Sequence, residues 1–128
     1  MMQVSFHTLA LVTAGIFLLI AIVWLFAPAR FLTAWGVKDS AETRLIGRRV
    51  AALYAGVAVM FFMAREAEPS LPSTALSVGL ISTCLLLAAS GVVEWLQGRA
   101  SKGILVAVLI ELSLSLLFLK VMSSAPPL

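Results

Sequence analysis

The residue in this chain that most needs a chemical explanation is Glu111. It lies seven residues after Ile104 and eight before Leu119, inside a run otherwise made of Leu, Ile, Val, Ala, Ser and Phe. Insertion scales put a charged group at the centre of such a run at a cost of about 2.5–3.5 kcal/mol. The carboxyl is therefore either carried neutral and hydrogen-bonded, or ionised and paired. Ala107 and Ser115, one turn to either side, are small, so this face can approach another helix closely. Three readings follow. Glu111 locks a helix bundle through a hydrogen bond, or it forms a ligand, ion or proton site, or it contacts a partner subunit.

Depth names its companions. Tyr54 stands a few residues inside the second apolar run, and Arg48 and Arg49 stand at the entrance of that run. Long arginine side chains can reach along a helix from such a position. Glu94 closes the third apolar run at the level of Arg44, Arg48 and Arg49. An interfacial pair of Glu94 with one of these arginines is expected, and Arg48 or Arg49 should then matter more for integrity than Arg99. Glu111, Tyr54, Arg48, Arg49 and Glu94 together make a candidate ligand or proton patch in one half of the membrane.

Other chemistries are excluded by counting. The chain has one Cys, Cys84, and one His, His7. One chain cannot build a disulfide, a Cys-x-x-Cys redox pair or a Cys/His metal cluster from these. Cys84 sits in an apolar run and reads as an inert packed thiol. His7 reads as a hydrated imidazole at the membrane surface. No catalytic constellation, cofactor motif or metal site is expected.

The elements that position these residues follow from composition. Of 128 residues, 62% are hydrophobic and 12% charged, against about 25% charged in an ordinary soluble domain. That excludes a cytosolic globule and a disordered chain. The net charge of +3 comes from too few and too unevenly placed cations for a nucleic-acid module, so no nucleic-acid partner is expected. An all-α, polytopic membrane protein remains: one four-helix transmembrane domain over residues 1–128.

A spanning helix needs about 20 apolar residues. The first span is expected over about 4–27 and is stopped by Pro28. It lacks a preceding Lys or Arg and is too long for the apolar core of a signal peptide, so it is expected to be retained. Phe31, Leu32 and Trp35 share one face of a short stretch beginning near Ala29, which predicts a short interfacial helix. Gly36 ends it, and Ser40 is placed to cap the next helix. The second span, about 45–64, has a charge-free run of only 15 residues, Val50 to Ala64. It is long enough only if Leu45 to Arg49 continue the helix. The third and fourth spans are expected over about 74–93 and 104–122. Contact faces are predicted from small residues: Ala10, Ala14 and Ala21 with Phe17 and Trp24 on the first span, Gly47, Ala51 and Ala55 together with Ala52 and Gly56 on the second, Gly79, Thr83 and Ser90 on the third.

Arg30, Lys38, Arg44, Arg48, Arg49, Arg99 and Lys102 fall at one side of a four-span chain, and Arg65 and Lys120 at the other, seven against two. The positive-inside rule puts the seven in the cytoplasm and both termini outside, in a cell membrane of bacterial inner-membrane type. Trp24, Trp35 and Trp95 fall at the same level, as an interfacial aromatic belt does.

The stretch Leu25-Phe26-Ala27-Pro28-Ala29-Arg30-Phe31-Leu32, then Trp35-Gly36-Val37, is followed by Arg44-Leu45-Ile46-Gly47-Arg48-Arg49 and Ala52-Leu53-Tyr54-Ala55-Gly56. Over about residues 15–65 this resembles the small four-helix membrane proteins of the DoxX-like group. The resemblance implies a four-helix fold and supplies no activity. Glu111 has no place in the shared pattern.

The function expected from these residues is a non-catalytic membrane module, which binds a hydrophobic ligand or serves as an accessory subunit. A small proton-coupled transporter using Glu111 is the alternative. A small membrane enzyme with an arginine-lined site is the second. The expected partners are membrane lipid, a hydrophobic small molecule, and a second copy or a partner membrane subunit.

Overall fold

The structure, a computed structural model, describes residues 5–124. It is helical throughout, in the order α1 (Phe6–Phe26), α2 (Pro28–Ala34), α3 (Ala41–Met63), α4 (Leu71–Leu96) and α5 (Ile104–Ser124). The four long helices are each long and apolar enough to cross a membrane, and α2 is the short helix after the first span.

Local chemistry sets the boundaries. Ser5 caps α1 by accepting from the Thr8 amide. Ala27 leaves the helical region at φ −141° and ψ 55°, as the residue before a proline tends to do. Pro28 then opens α2, where its missing N–H costs nothing. Gly36 adopts φ +73° and closes α2, with the Val37 amide donating to the Leu32 carbonyl at 2.8 Å. Gly98, at φ +78°, ends α4 in the same way, the Arg99 amide donating to the Glu94 carbonyl at 2.9 Å. This six-residue closure needs a left-handed residue that glycine adopts without strain. Ser40 with Thr43 and Ser70 with Ser73 form reciprocal capping boxes that start α3 and α4. The box at Ser40 starts α3 at Ala41. The helix is therefore already continuous where the charge-free run begins at Val50.

Packing divides the bundle into two helix pairs, α1 with α3 and α4 with α5. They converge in the half away from α2. There Leu9, Ala10, Ala14 and Phe17 of α1 meet Ala58 and Phe61 of α3, Leu80, Ile81 and Cys84 of α4, and Leu114 and Phe118 of α5. Phe118 is fully buried and stands edge-on to Phe61, with ring centroids 5.4 Å apart. In the other half a second, smaller core contains only α1, α2 and α3, centred on Trp24, Leu32 and Ala51. Here α4 and α5 pack on each other, with the Cα of Gly91 against Val108.

The two ends are tied differently. At the α2 end the Ser101 amide donates to the Trp35 carbonyl at 2.8 Å and the Ser101 hydroxyl to the Ala34 carbonyl at 2.7 Å. At the other end His7 Nδ1 lies 3.0 Å from Glu66 and 3.1 Å from the Arg65 carbonyl. The segments holding the seven cations therefore gather at one end of the bundle.

Candidate functional site

Where the two helix pairs separate, they leave a cavity of about 560 Å³. One wall is α1, through Phe17, Ile20, Val23 and Trp24, with Tyr54 of α3 beside it. The facing wall is α5, through Val106, Ala107, Ile110, Glu111 and Leu114, joined by Cys84 and Leu87 of α4. Phe31, Ala34 and Trp35 of the α2 segment roof it, together with Gly103.

The roof is aromatic and interlocked. Trp24, Phe31 and Trp35 hold mutual centroid distances of 5.2, 5.4 and 5.6 Å. The short helix was expected to lay its apolar face in the headgroup region, but that face is turned onto the protein. Leu32 is only 4% exposed, because Trp24 and Ala51 give it a partner. At the floor, Phe17 stands edge-on to Tyr54 at 5.2 Å. Glu111 lies eight residues beyond Gly103, about 12 Å at 1.5 Å per residue. It is therefore well below the roof.

The cavity opens sideways. Leu19 and Val106 on its rim are each 63% exposed, and they belong to α1 and α5, which touch only lightly. In a bilayer this opening faces acyl chains, so the lining is accessible from lipid.

The expected patch of five residues does not assemble. Glu111 and Tyr54 share the cavity. Ala107 and Ser115 flank Glu111 as expected, Ser115 being buried and donating its hydroxyl to the Glu111 carbonyl at 3.0 Å. Arg48 and Arg49 are exposed on the first turns of α3. Arg48 borders a shallow surface hollow with Asp39, Ser40 and Arg44, away from Glu111. Arg44 is held by Asp39 through two hydrogen bonds of 2.6 and 2.7 Å. That fork holds the Asp39 carboxyl below its ordinary value of 3.8. Glu94 pairs with Arg99, at 2.5 and 3.2 Å, and with none of Arg44, Arg48 or Arg49. The Gly98 turn folds the chain back and brings Arg99 over the helix end, so a local pair takes the place of the expected long-range one. The Glu94 hydrogen bond holds the Arg99 guanidinium above its ordinary range.

Three residues of the cavity carry more than the sequence assigned them. Cys84 is buried and unpaired, the packed thiol expected, and it also forms part of the wall. Phe31 and Trp35 roof the site although their spacing pointed only to a membrane surface. Among the described residues no group of His, Cys, Asp and Glu could hold a metal.

Four apolar helices long enough to span, with a laterally open cavity holding one carboxyl, define a small four-helix integral membrane protein. Comparisons with protein-family models, curated proteins and solved structures return no match for the chain.

Proposed function

We propose that this protein is a non-catalytic membrane module whose cavity binds a hydrophobic ligand entering from the bilayer. The observation that carries this reading is the cavity of about 560 Å³, within the 300–1,000 Å³ range of small-molecule sites and lined as they are. Its walls are apolar and aromatic, with few convergent polar groups, chiefly Tyr54 and Glu111. The seven-to-two Lys/Arg distribution supports a bacterial inner-membrane protein with the α2 end in the cytoplasm and both termini outside. The resemblance over residues 15–65 supports kinship with DoxX-like proteins.

The test uses 1-bromodecane as a neutral quencher of tryptophan fluorescence in phosphatidylcholine vesicles. Trp24 and Trp35 line the cavity and Trp95 does not. Quenching that saturates at low probe-to-lipid ratio in the wild type, and loses saturation in Ala107→Phe with helicity retained, supports a site. Quenching that rises linearly in both proteins shows partition into lipid only and removes the reading.

Proton-coupled transport through Glu111 is the second reading, favoured by the absence of a hydrogen-bond or ion-pair partner for its carboxyl among the described residues. It requires pH-driven uptake of a cavity ligand into proteoliposomes, which a binding module does not perform.

A further inference from the structure

The cations of the described chain can be accounted for one by one. Arg44 is held by Asp39 and Arg99 by Glu94. Arg65 donates to the Phe62 carbonyl, stacks on the Phe62 ring and lies beside Glu66, at the end away from the roof. Arg30, Lys38, Arg48, Arg49, Lys102 and Lys120 are exposed and none lines the cavity. No side-chain hydrogen bond or ion pair reaches the Glu111 carboxyl from the described residues; the bond recorded at Glu111 is that of Ser115 to its backbone carbonyl. The cavity thus contains an acidic group and no basic one.

We propose that the ligand is a lipophilic amine, whose ammonium sits beside the Glu111 carboxyl and whose apolar body lies along the cavity under Trp24, Phe31 and Trp35. This rests on the cavity being a ligand site and adds the chemical class that the site selects. A carboxylate among apolar walls gains most from a counter-charge, since a buried charge is tolerable only when paired. An ammonium ion gains from aromatic faces as well as from the carboxylate, and the Phe17–Tyr54 pair lies at the cavity's deep end. The distance from Glu111 to Gly103, about 12 Å at 1.5 Å per residue, suits an elongated molecule with its charge deep and its tail under the roof. A free fatty acid or other lipid anion is disfavoured by the same carboxyl.

The experiment compares (10-bromodecyl)trimethylammonium with neutral 1-bromodecane in phosphatidylcholine vesicles. Each probe is corrected for its partition into protein-free vesicles. With its charge at Glu111, the bromine of the cationic probe falls near Trp24 and Trp35. The wild type should half-saturate with the cation at about tenfold lower membrane concentration than with the neutral probe, the size expected of an ion pair and cation–π contact away from water, since the quaternary head has no N–H to donate. Glu111→Gln should bring the two within about twofold, and Glu111→Asp should retain the preference. Equal half-saturation by the two probes in the wild type overturns the amine while leaving a hydrophobic site. No saturable quenching by either probe overturns both readings. A preference that persists in Glu111→Gln removes Glu111 from the recognition. Should Glu111→Gln not fold, as circular dichroism would show, the wild-type comparison alone decides.

Discussion

Gly47 lies directly under the indole of Trp24: a Cβ there would come within 2.5 Å of Trp24 Cε3. The absence of a side chain on α3 therefore lets Trp24 sink between α1 and α3, where it is 6% exposed and supports Phe31 and Trp35. Gly47→Ala should destabilise the protein by about 1–3 kcal/mol, the usual cost of overpacking, and should also displace the cavity roof. Thermal melts in detergent and a shift in tryptophan emission check the two effects. An unchanged emission spectrum would show that Trp24 is not seated on Gly47.

The roof is fastened to the far helix pair through Ser101 and Gly103. Ser101→Ala removes the hydrogen bond to the Ala34 carbonyl and should cost about 0.5–1.5 kcal/mol. Gly103→Ala should cost more, because a Cβ there collides with that same carbonyl oxygen. Hydrogen exchange should rise in α2 and its flanks in both variants, with Gly103→Ala the larger. A rise confined to α5 would mean that the loop does not hold the roof.

Thr13 presents the opposite situation. Its side chain is fully buried on α1, and its hydroxyl has no hydrogen-bond partner among the described residues. Replacing an unsatisfied hydroxyl by a methyl group removes a desolvation cost of about 1–3 kcal/mol. Thr13→Val should therefore raise the melting temperature. A lower one would mean that the hydroxyl is satisfied in the membrane.

The face of α1 could be read from sequence and that of α4 could not. Ala10, Ala14, Phe17, Ala21 and Trp24 are all buried, because the large residues among them select the face together with the small ones. On α4 the small residues Gly79, Thr83 and Ser90 pointed to a contact face, yet all three are exposed. The packed face runs through Ser77, Leu80, Ile81, Cys84, Ala88 and Gly91. In a helix apolar all round, no polar side marks the outside, and small residues occur on both faces. Thr83 can face lipid because its hydroxyl donates to the Gly79 carbonyl at 2.9 Å. The site divides along the same line. Depth along a helix located Glu111 and Tyr54. Interfacial depth alone gathered Arg48, Arg49 and Glu94, and these lie at different angles around the bundle. Arg99, five residues past Glu94 across a glycine, was the legible partner: a left-handed Gly98 returns the chain over the helix it ends.

Asp39 supplies a pH dependence whose sign is fixed. Its folded value lies below the ordinary 3.8, because the Arg44 fork favours the ionised form. Stability from the pair is therefore present above the unfolded value and is lost as the pH falls through the folded one. Asp39→Asn should lower the melting temperature at neutral pH, and the difference from wild type should shrink as the pH is brought below 3.8. The pair is at the surface, so added salt should shrink the difference too. A gap that widens on acidification would reverse the assignment.

Orientation is open to direct labelling. Ser40 and Ser70 cap helices at opposite ends of the bundle, and Cys84 is buried, so a cysteine introduced at either position reports on its own. Ser40→Cys should react with a membrane-impermeant maleimide only after the cells are opened, and Ser70→Cys should react in intact cells. The reverse pattern would invert the proposed topology.

The arginines at the α2 end of the bundle can be ranked by what holds them. Sequence alone favoured Arg48 or Arg49 as the partner of Glu94, which would make their loss the costly one. In the structure Arg99 takes that place, with two hydrogen bonds to Glu94, while Arg48 and Arg49 are exposed. Arg99→Ala should therefore lower the melting temperature more than Arg48→Ala or Arg49→Ala. The effect should be modest, because both partners are substantially exposed and surface pairs contribute little. It should also be local, since the Glu94 backbone carbonyl still receives the Arg99 and Ala100 amides that close the turn. A double-mutant cycle between Arg99→Ala and Glu94→Gln isolates the pair from the turn. Additive losses would show that the two side chains do not interact, and a larger loss from Arg48→Ala would restore the long-range pairing.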